Sequence, residues 1–138
     1  MTSPESKLPL VALIGNPNTG KTTIFNGLTG LRQKTANYPG VTVEKKSGFC
    51  RFEKSGKSVH ILDLPGAYAL LPRSPDEEVV RDILYGWRQD TPRPDFLVCI
   101  LDANNLERNL YFALQVLETG LPTLWVLNMW DQAEAKGL

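Results

Sequence analysis

An eight-residue, glycine-containing stretch constrains this sequence more than any other feature: Gly15-Asn16-Pro17-Asn18-Thr19-Gly20-Lys21-Thr22. It fits the pattern glycine, any four residues, glycine, lysine, then serine or threonine, which is typical of a phosphate-binding loop (P-loop). An apolar run over 8–14 precedes it and predicts a buried strand, and apolar residues at helical spacing follow it. The stretch is therefore predicted to turn a strand into a helix, as a P-loop requires.

The residue types in this stretch suit an anionic ligand. Gly15 and Gly20 allow the backbone to curl until successive N–H groups point into one concavity, at the positive end of the following helix. Lys21 supplies an ammonium for the β- and γ-phosphates and Thr22 supplies a hydroxyl for magnesium, with Thr23 next in the sequence. The alternative is a glycine-rich turn that binds nothing.

Strand-like and helix-like segments alternate along the rest of the chain. Strands are predicted over 41–52, 57–62, 95–102 and 123–127, and helices from the P-loop to about Gly30, over 75–87 and over 106–117. Residues 31–40 are predicted to be a mobile loop and residues 1–7 a flexible N-terminus. The pattern predicts one α/β domain over 8–138, a P-loop three-layer fold with a mostly parallel sheet and helices on both faces.

Three more local predictions can be checked against coordinates. Ser74 and Pro75 are predicted to cap and open the second helix. The strand over 41–52 is predicted to lie at a sheet edge, because polar and apolar residues alternate along it. One leucine-rich stripe is predicted to be the core face of the third helix: Leu106, Leu110, Ala113, Leu114 and Leu117.

Composition excludes several classes of protein. The 15 basic and 15 acidic residues give a net charge of zero, which argues against nucleic-acid binding through bulk positive charge. The apolar runs are too short to span a bilayer. With one histidine and two cysteines, Cys50 and Cys99, no transition-metal cluster is predicted, and both thiols are predicted to be reduced.

Two further motifs follow predicted strands. Asp63-Leu64-Pro65-Gly66 places a carboxylate for magnesium, through a water, and a backbone N–H of Gly66 for a terminal phosphate. Thr42 is the candidate for a second hydroxyl on the magnesium, from a loop that closes over the γ-phosphate. The alternatives are a simple turn at 63–66 and an ordinary strand threonine at position 42.

The last motif predicts the choice of base. Asn128-Met129-Trp130-Asp131 follows the final strand, and an aspartate carboxylate can accept two hydrogen bonds from the N1–H and amino group of guanine. Adenine lacks that donor edge and would leave polar groups unpaired. The alternative is that Asp131 only caps a helix.

Taken together, these motifs closely resemble the N-terminal G domain of the FeoB family of bacterial ferrous-iron transporters, from about Leu8 to Asp131. The resemblance rests on 15–23, on Asn37-Tyr38-Pro39-Gly40-Val41-Thr42-Val43-Glu44, on 63–68, on 76–82 and on 102–110. It implies binding and hydrolysis of GTP on the cytoplasmic face of the bacterial inner membrane, coupled to iron passage. It also implies downstream helical and transmembrane domains as partners.

The resemblance also implies site residues. The nucleotide would contact 15–23, then Gly40, Val41 and Thr42, then 63–66, then Asn128, Met129, Trp130 and Asp131. Activation by potassium is implied, with Asn18 at the matching position. Catalysis would then rest on four groups: Lys21, Asn18, Thr42 and Gly66.

Two departures from the family pattern give further expectations. Ala67 stands where Ras-like enzymes carry a water-orienting glutamine, which predicts slow intrinsic hydrolysis. A last strand, a base-contacting loop and a last helix normally follow Asp131, so a truncated domain with weakened nucleotide affinity and a self-associating edge is expected. A ribosome- or tRNA-associated GTPase and a non-hydrolysing nucleotide-binding module remain alternatives.

Overall fold

The computed structural model describes residues 8–30, 32–71 and 73–128. Along this part of the chain the elements are β1 (Leu10–Gly15), α1 (Lys21–Thr29), β2 (Gln33–Asn37), β3 (Glu44–Arg51), β4 (Ser58–Asp63), α2 (Pro75–Leu84), β5 (Phe96–Asp102), a 3-10 turn (Ala103–Asn105), α3 (Leu106–Glu118) and β6 (Thr123–Asn128). The predictions for 1–7, for Met129, Trp130 and Asp131 and for a helix after them lie outside the described residues.

All six strands form one sheet in the order β2-β3-β4-β1-β5-β6. β1 pairs in parallel with β4 and β5, and β5 pairs in parallel with β6, whereas β2–β3 and β3–β4 are antiparallel. The carboxyl ends of β1, β4, β5 and β6 therefore meet at one edge of the sheet, where ligand sites of such folds occur. The predicted α/β fold is confirmed.

Helices cover both faces of the sheet. α1 packs on one face through Phe25, against Leu13, Ile61, Val98 and Ile100 of the central strands. α2 and α3 cover the other face, where the core contains Leu62, Ile83, Leu97, Cys99 and Phe112. Burial raises the pKa of the Cys99 thiol to about 12, so this cysteine stays protonated and unreactive at neutral pH. The half-buried Cys50 is also a free thiol.

The prediction of a loop over residues 31–40 is wrong in part, because Gln33–Asn37 form β2. This strand pairs with Glu44–Gly48 of β3, and all five of its side chains are exposed. No hydrophobic alternation marks it, because it is held by backbone pairing and by the Gln33 amide, which donates to Asn26 Oδ1 (2.7 Å) and Thr29 Oγ1 (2.9 Å) of α1. β3 consequently lies inside the sheet, between β2 and β4, and the predicted edge position of the 41–52 strand is also wrong.

Two element boundaries differ from their predicted positions because of turns. Tyr38 donates its backbone N–H to Val43 O (2.9 Å), and Val41 donates to Tyr38 O (3.3 Å), so residues 38–43 form a closed turn before β3 begins. α2 begins as predicted, with Ser74 Oγ accepting the Glu77 N–H at 3.2 Å. It ends at Leu84 rather than 87, since Gly86 adopts a left-handed φ of 72°.

The predicted core face of α3 is also wrong. Leu106, Leu110, Leu114 and Leu117 are 40–61% exposed, and of the stripe only Ala113 is buried. The helix instead buries Asn109, Phe112, Ala113 and Val116. Asn109 can lie inside because its amide oxygen accepts the Asp102 N–H (3.1 Å) and its amide nitrogen donates to Asn105 O (2.8 Å).

Within the described ranges, the helices are all too short or too polar to cross a lipid bilayer.

Candidate functional site: the P-loop edge of the sheet

The P-loop of the structure has the curled backbone that the sequence predicts. β1 ends at Gly15 and α1 begins at Lys21. Between them Asn18 (φ 68°) and Gly20 (φ 86°) both adopt left-handed conformations. A Cβ atom at Gly15 would come within 2.7 Å of the Ile100 carbonyl oxygen, so only glycine fits there. Gly20 is the N-cap of α1 and provides no side-chain cap, which leaves first-turn N–H groups for a ligand.

A cavity of about 450 Å³ opens over this loop. Its lining combines P-loop residues with one residue from each of two other segments: Asn16, Pro17, Asn18, Gly20, Lys21, Thr22, Gly66 and Asp76. The buried Lys21 lies in the first turn of α1, where the helix dipole favours an anion. The cavity therefore offers an ammonium, backbone N–H groups and a glycine-lined wall to a phosphate group.

Asp63 and Thr22 meet in a second, adjoining cavity of about 230 Å³. Asp63 ends β4, is buried, and forms an ion pair with the Lys21 ammonium. A carboxylate and a hydroxyl are the oxygen ligands that magnesium accepts, with waters completing its shell. The donor set on this wall of the site therefore fits a magnesium ion beside the phosphate cavity.

The 63–66 segment packs directly against the P-loop. Leu64 N–H donates to Leu13 O at 3.1 Å, and Ala67 N–H donates to Gly15 O at 3.0 Å. A Cβ at Gly66 would lie 3.0 Å from Pro17, which explains why glycine occupies this position. Gly66 lines both cavities, so its backbone is placed to contact a terminal phosphate. Ala67 itself is buried and offers no side-chain polar group to a water.

Buried polar atoms without partners mark the floor of the P-loop. Both side-chain polar atoms of Asn16 and the hydroxyl of Thr19 are buried, with no hydrogen-bond partner among the described residues. Such atoms cost free energy unless something satisfies them. Asn16 lines the larger cavity, so a polar ligand in that cavity is placed to meet its amide.

Thr42 is not brought to the site in this structure. Gly40, Val41 and Thr42 are exposed in the 38–43 turn, and none of the three lines either cavity, whereas the following Val43 and Glu44 do. The turn is held elsewhere. Arg88 donates to Pro39 O (3.1 Å), and its guanidinium lies 5.3 Å from the centre of the Tyr38 ring.

Charge and burial shift the pKa values of the side chains that contact this turn. Asp90 binds Arg88 through two hydrogen bonds of 3.0 and 2.7 Å, which raises the pKa of the guanidinium and lowers that of the carboxyl. Burial strongly raises the pKa of Tyr38, so the phenol stays neutral. Lys45 lies over the ring at 5.5 Å. Cations thus flank an aromatic ring that is 1% exposed.

Asn128 reaches back to the P-loop from the end of β6. Its amide nitrogen donates to the Thr19 carbonyl oxygen at 2.8 Å, which joins the segment predicted to read the base to the segment predicted to hold phosphate. The contact spans 109 positions in the sequence. The neighbouring Met129, Trp130 and Asp131 lie beyond the described ranges.

Sequence reasoning missed one group of the site and one group that supports it. Asp76, in the first turn of α2, lines both cavities, but only the packing of α2 reveals this. The buried Glu77 carboxylate accepts the N–H groups of Tyr68 (3.1 Å) and Arg73 (3.2 Å), and so ties the loop after Gly66 to α2. Among the described residues, no cluster of three or more histidine, cysteine or acidic side chains forms a metal site.

Comparison with known proteins agrees with this architecture. The family model described as Ferrous iron transport protein B matches residues 9–138. The Porphyromonas gingivalis Fe(2+) transport protein A/Fe(2+) transporter FeoB fusion protein is 47% identical over 134 residues, which are 97% of this chain and 15% of that protein. The Escherichia coli K12 Fe(2+) transporter FeoB is 47% identical over 133 residues, 93% of this chain and 16% of the transporter.

Solved structures show the same fold. A crystal structure of a point mutant of S. thermophilus NFeoB bound to GDP superposes with a TM-score of 0.83 at 46% identity, covering 95% of this chain and 48% of the other. The G domain of the T. maritima FeoB iron transporter gives 0.81 at 40% identity, covering 92% and 76%.

This chain thus spans 15–16% of the length of the transporters it matches. With a family model that covers its length and a P-loop edge built as described, it belongs to the FeoB_N family, the N-terminal G domain of ferrous iron transport protein B.

Proposed function

We propose that this chain binds guanine nucleotide with magnesium at the P-loop edge and hydrolyses GTP slowly, with stimulation by potassium. We further propose that residues 8–138 form the switch domain of a ferrous-iron transporter, on the cytoplasmic side of the membrane. One observation carries the proposal. A left-handed loop leads into α1, and Lys21 and Asp63 of adjoining cavities are in contact there. The S. thermophilus and T. maritima relatives support it.

Each proposed role belongs to a named group. The backbone of 15–23 and the Lys21 ammonium bind the β- and γ-phosphates, and Asn16 meets them with its amide. Thr22 and Asp63 hold magnesium, and Thr42 joins them when the 38–43 turn moves towards the P-loop. A bound magnesium ion would neutralise charge on the transferred phosphoryl group.

The remaining roles concern hydrolysis and base recognition. Gly66 offers its N–H to the γ-phosphate, and Asn18 lends its side-chain oxygen to potassium. The attacking water would be oriented by backbone groups, because the buried side chain of Ala67 has no polar atom. Asp131 reads guanine, and Asn128 braces that segment on Thr19 at 2.8 Å.

A titration of GDP and ADP into the protein by isothermal calorimetry tests the binding part. GDP should bind and ADP should not, because adenine has an acceptor at N1 and no 2-amino group, and so cannot make guanine's paired donation to the Asp131 carboxylate. Lys21→Ala should weaken GDP binding by about 10- to 150-fold, since hydrogen bonds to charged groups contribute roughly 1.5–3 kcal/mol. Lys54→Ala, which removes an exposed lysine far from the site, is the matched control and should bind as wild type. Equal binding of ADP and GDP would refute the guanine assignment.

A second candidate function is a nucleotide-binding module that does not hydrolyse GTP. The buried, nonpolar Ala67 favours it, because no side chain at that position can orient water. Multiple-turnover phosphate release in potassium and in sodium separates the two. Turnover that potassium increases supports the enzyme, and tight binding without turnover in either salt supports the module.

A further inference from the structure

Charge is distributed unevenly along this neutral chain. Residues 32–57 carry seven basic residues against two acidic ones, a net charge of +5, while the whole chain has a net charge of zero. The structure folds this segment into the outer half of the sheet, β2 and β3 and the turn to β4. The other residues together carry a net charge of −5. The zero net charge therefore conceals a strongly basic face.

The tip of this basic segment points away from the nucleotide edge. β4 runs from Ser58 to Asp63, so the 52–57 turn lies at the opposite edge of the sheet from Asp63. Hydrogen bonds from Phe52 N–H to Lys57 O (2.7 Å) and from Gly56 N–H to Phe52 O (2.8 Å) make the turn compact. All residues of 51–57 are exposed, among them the basic Arg51, Lys54 and Lys57 and the acidic Glu53, and Phe52 is 51% exposed.

The basic residues continue from the tip along one face of the sheet. Strand register places Lys34, Lys45, Phe49 and Arg51 on the same side, which is the side that α2 covers only nearer the centre. Phe49 is 40% exposed and stacks on His60 with ring centres 4.8 Å apart. A groove of about 630 Å³ crosses this face, and Arg32, Lys34 and Lys45 line it together with Phe49.

Little of this positive charge is neutralised within the described ranges. Of the seven basic residues, Lys46 alone is in an ion pair there, with Glu44 at 3.5 Å. The acidic Asp90, at the rim of the groove, is occupied by Arg88. The lysines and arginines of the groove and the tip are therefore available to an anionic partner.

We propose that this basic face binds the anionic phospholipid surface of a membrane. The face is defined by eight residues: Arg32, Lys34, Lys45, Phe49, Arg51, Phe52, Lys54 and Lys57. The proposal rests in part on the proposed function, which makes the chain a domain of a membrane transporter. Lysines attract anionic headgroups, and the exposed Phe52 ring at the tip inserts at the headgroup boundary. Lys34 and Lys45 both line the groove, so a phosphate headgroup that entered it would meet two ammonium groups.

Nucleic acid is a different class of anionic partner and is disfavoured on two observations. Five of the seven basic residues are lysines, whereas nucleic-acid sites favour arginine, whose guanidinium makes bidentate contacts. Phe52 flanks a tight turn, where its backbone pairs with Lys57, whereas a base-stacking platform needs aromatic rings spread along a groove. The face is therefore assigned to lipid.

Cosedimentation with vesicles tests the assignment. Wild-type protein should sediment with phosphatidylcholine vesicles that contain about 30 mol % phosphatidylglycerol and remain in solution with pure phosphatidylcholine. Raising NaCl from about 0.1 M to about 0.5 M should release it. Lys54→Gln/Lys57→Gln should reduce the partition coefficient between anionic vesicles and solution on the order of tenfold or more. Adding Phe52→Ser to this double variant should reduce the coefficient further.

Arg73→Gln/Arg108→Gln, which removes the same charge from exposed residues outside the basic face, is the matched control and should sediment as wild type. GDP binding should survive in both double variants, so failure of GDP binding in wild type would count against the proposed function and leave the sedimentation result intact. Three outcomes would overturn the assignment. The protein could sediment equally with anionic and with neutral vesicles, the Lys54→Gln/Lys57→Gln variant could sediment as wild type, or the protein could bind a DNA duplex more tightly than anionic vesicles.

Discussion

At the scale of single residues, Asn18 is the most unusual position of the P-loop. Its φ of 68° is the only left-handed value at a non-glycine residue in the described ranges, and its side chain is exposed in the phosphate cavity. Asparagine tolerates this conformation better than most residues. The loop therefore keeps its left-handed turn at this position with a polar side chain in place of a glycine.

Replacing Asn18 separates its side chain from its backbone. Asn18→Gly should keep the loop conformation, while Asn18→Ala adds backbone strain of about 1–2 kcal/mol. Both should lose the stimulation of GTP hydrolysis by potassium, a drop of about tenfold for each 1.4 kcal/mol of transition-state stabilisation removed. Phosphate release in potassium and in sodium is the measurement, with the sodium rate as the internal control. Undiminished stimulation in Asn18→Gly would contradict the assigned role.

His60 makes the stability of the protein depend on pH. Burial, and then the charge of Lys45, lower its pKa from 6.5. The folded protein therefore binds a proton at His60 less readily than the unfolded chain does. The stability that comes from keeping His60 neutral is fully present above pH 6.5 and is lost as the pH falls below 6.5 towards the lower pKa of the folded state.

Urea denaturation at about pH 7.5 and about pH 5.5 should show a lower free energy of unfolding at the acid pH. His60→Gln should reduce that difference, because glutamine does not titrate. The same difference in both proteins would show that other groups cause it.

At the scale of elements, α3 offers the sharpest test of the fold. Val116 is fully buried and Leu114 is 61% exposed, although a leucine stripe predicts the reverse. Val116→Ala should lower the free energy of unfolding by about 2 kcal/mol through the cavity it leaves. Leu114→Ala should change it by less than about 0.5 kcal/mol. Chemical denaturation of the two variants measures both, and a larger loss at Leu114 would invalidate the assigned face.

The elements that sequence predicted well are those with a strong local signal. β1, β4 and β5 are apolar runs bounded by turn residues, and α2 has its capping serine and proline. β2 carries no such signal, because pairing with β3 holds it and none of its side chains is buried. On α3, counting leucines gave the wrong face, because a polar residue, Asn109, lies inside with its own hydrogen bonds.

The same distinction applies to the site. The P-loop and the 63–66 segment are local motifs, and the structure brings Lys21, Thr22, Asp63 and Gly66 together as the motifs predict. Asp76 enters through the packing of α2, and the position of Thr42 depends on contacts with Arg88 and Tyr38. Neither is encoded in a short pattern, since each depends on residues far apart in the chain.

At the scale of the whole molecule, ligand binding should appear as stability. The cavities draw on the P-loop, α1, β3, β4 and α2, so a nucleotide there is lost when the domain unfolds. GDP with magnesium at about 100 times its Kd should add about 2.7 kcal/mol and raise the Tm by several degrees. Differential scanning fluorimetry measures this. ADP and the Lys21→Ala variant are the controls. An equal rise with ADP would refute the guanine assignment, and an equal rise in Lys21→Ala would exclude a binding role for the Lys21 ammonium.

The bond between Arg88 and Pro39 has a mechanical consequence for the domain. Arg88, in the segment that follows α2, donates a hydrogen bond to Pro39 in the turn that carries Thr42. The first turn of α2 lies beside the P-loop, where Asp76 lines the cavity. α2 therefore connects Asp76, which lines the cavity, with the segment whose Arg88 binds the 38–43 turn. If Thr42 moves towards magnesium as proposed, Pro39 moves with it, so we expect the Arg88–Pro39 hydrogen bond to slow that conformational change.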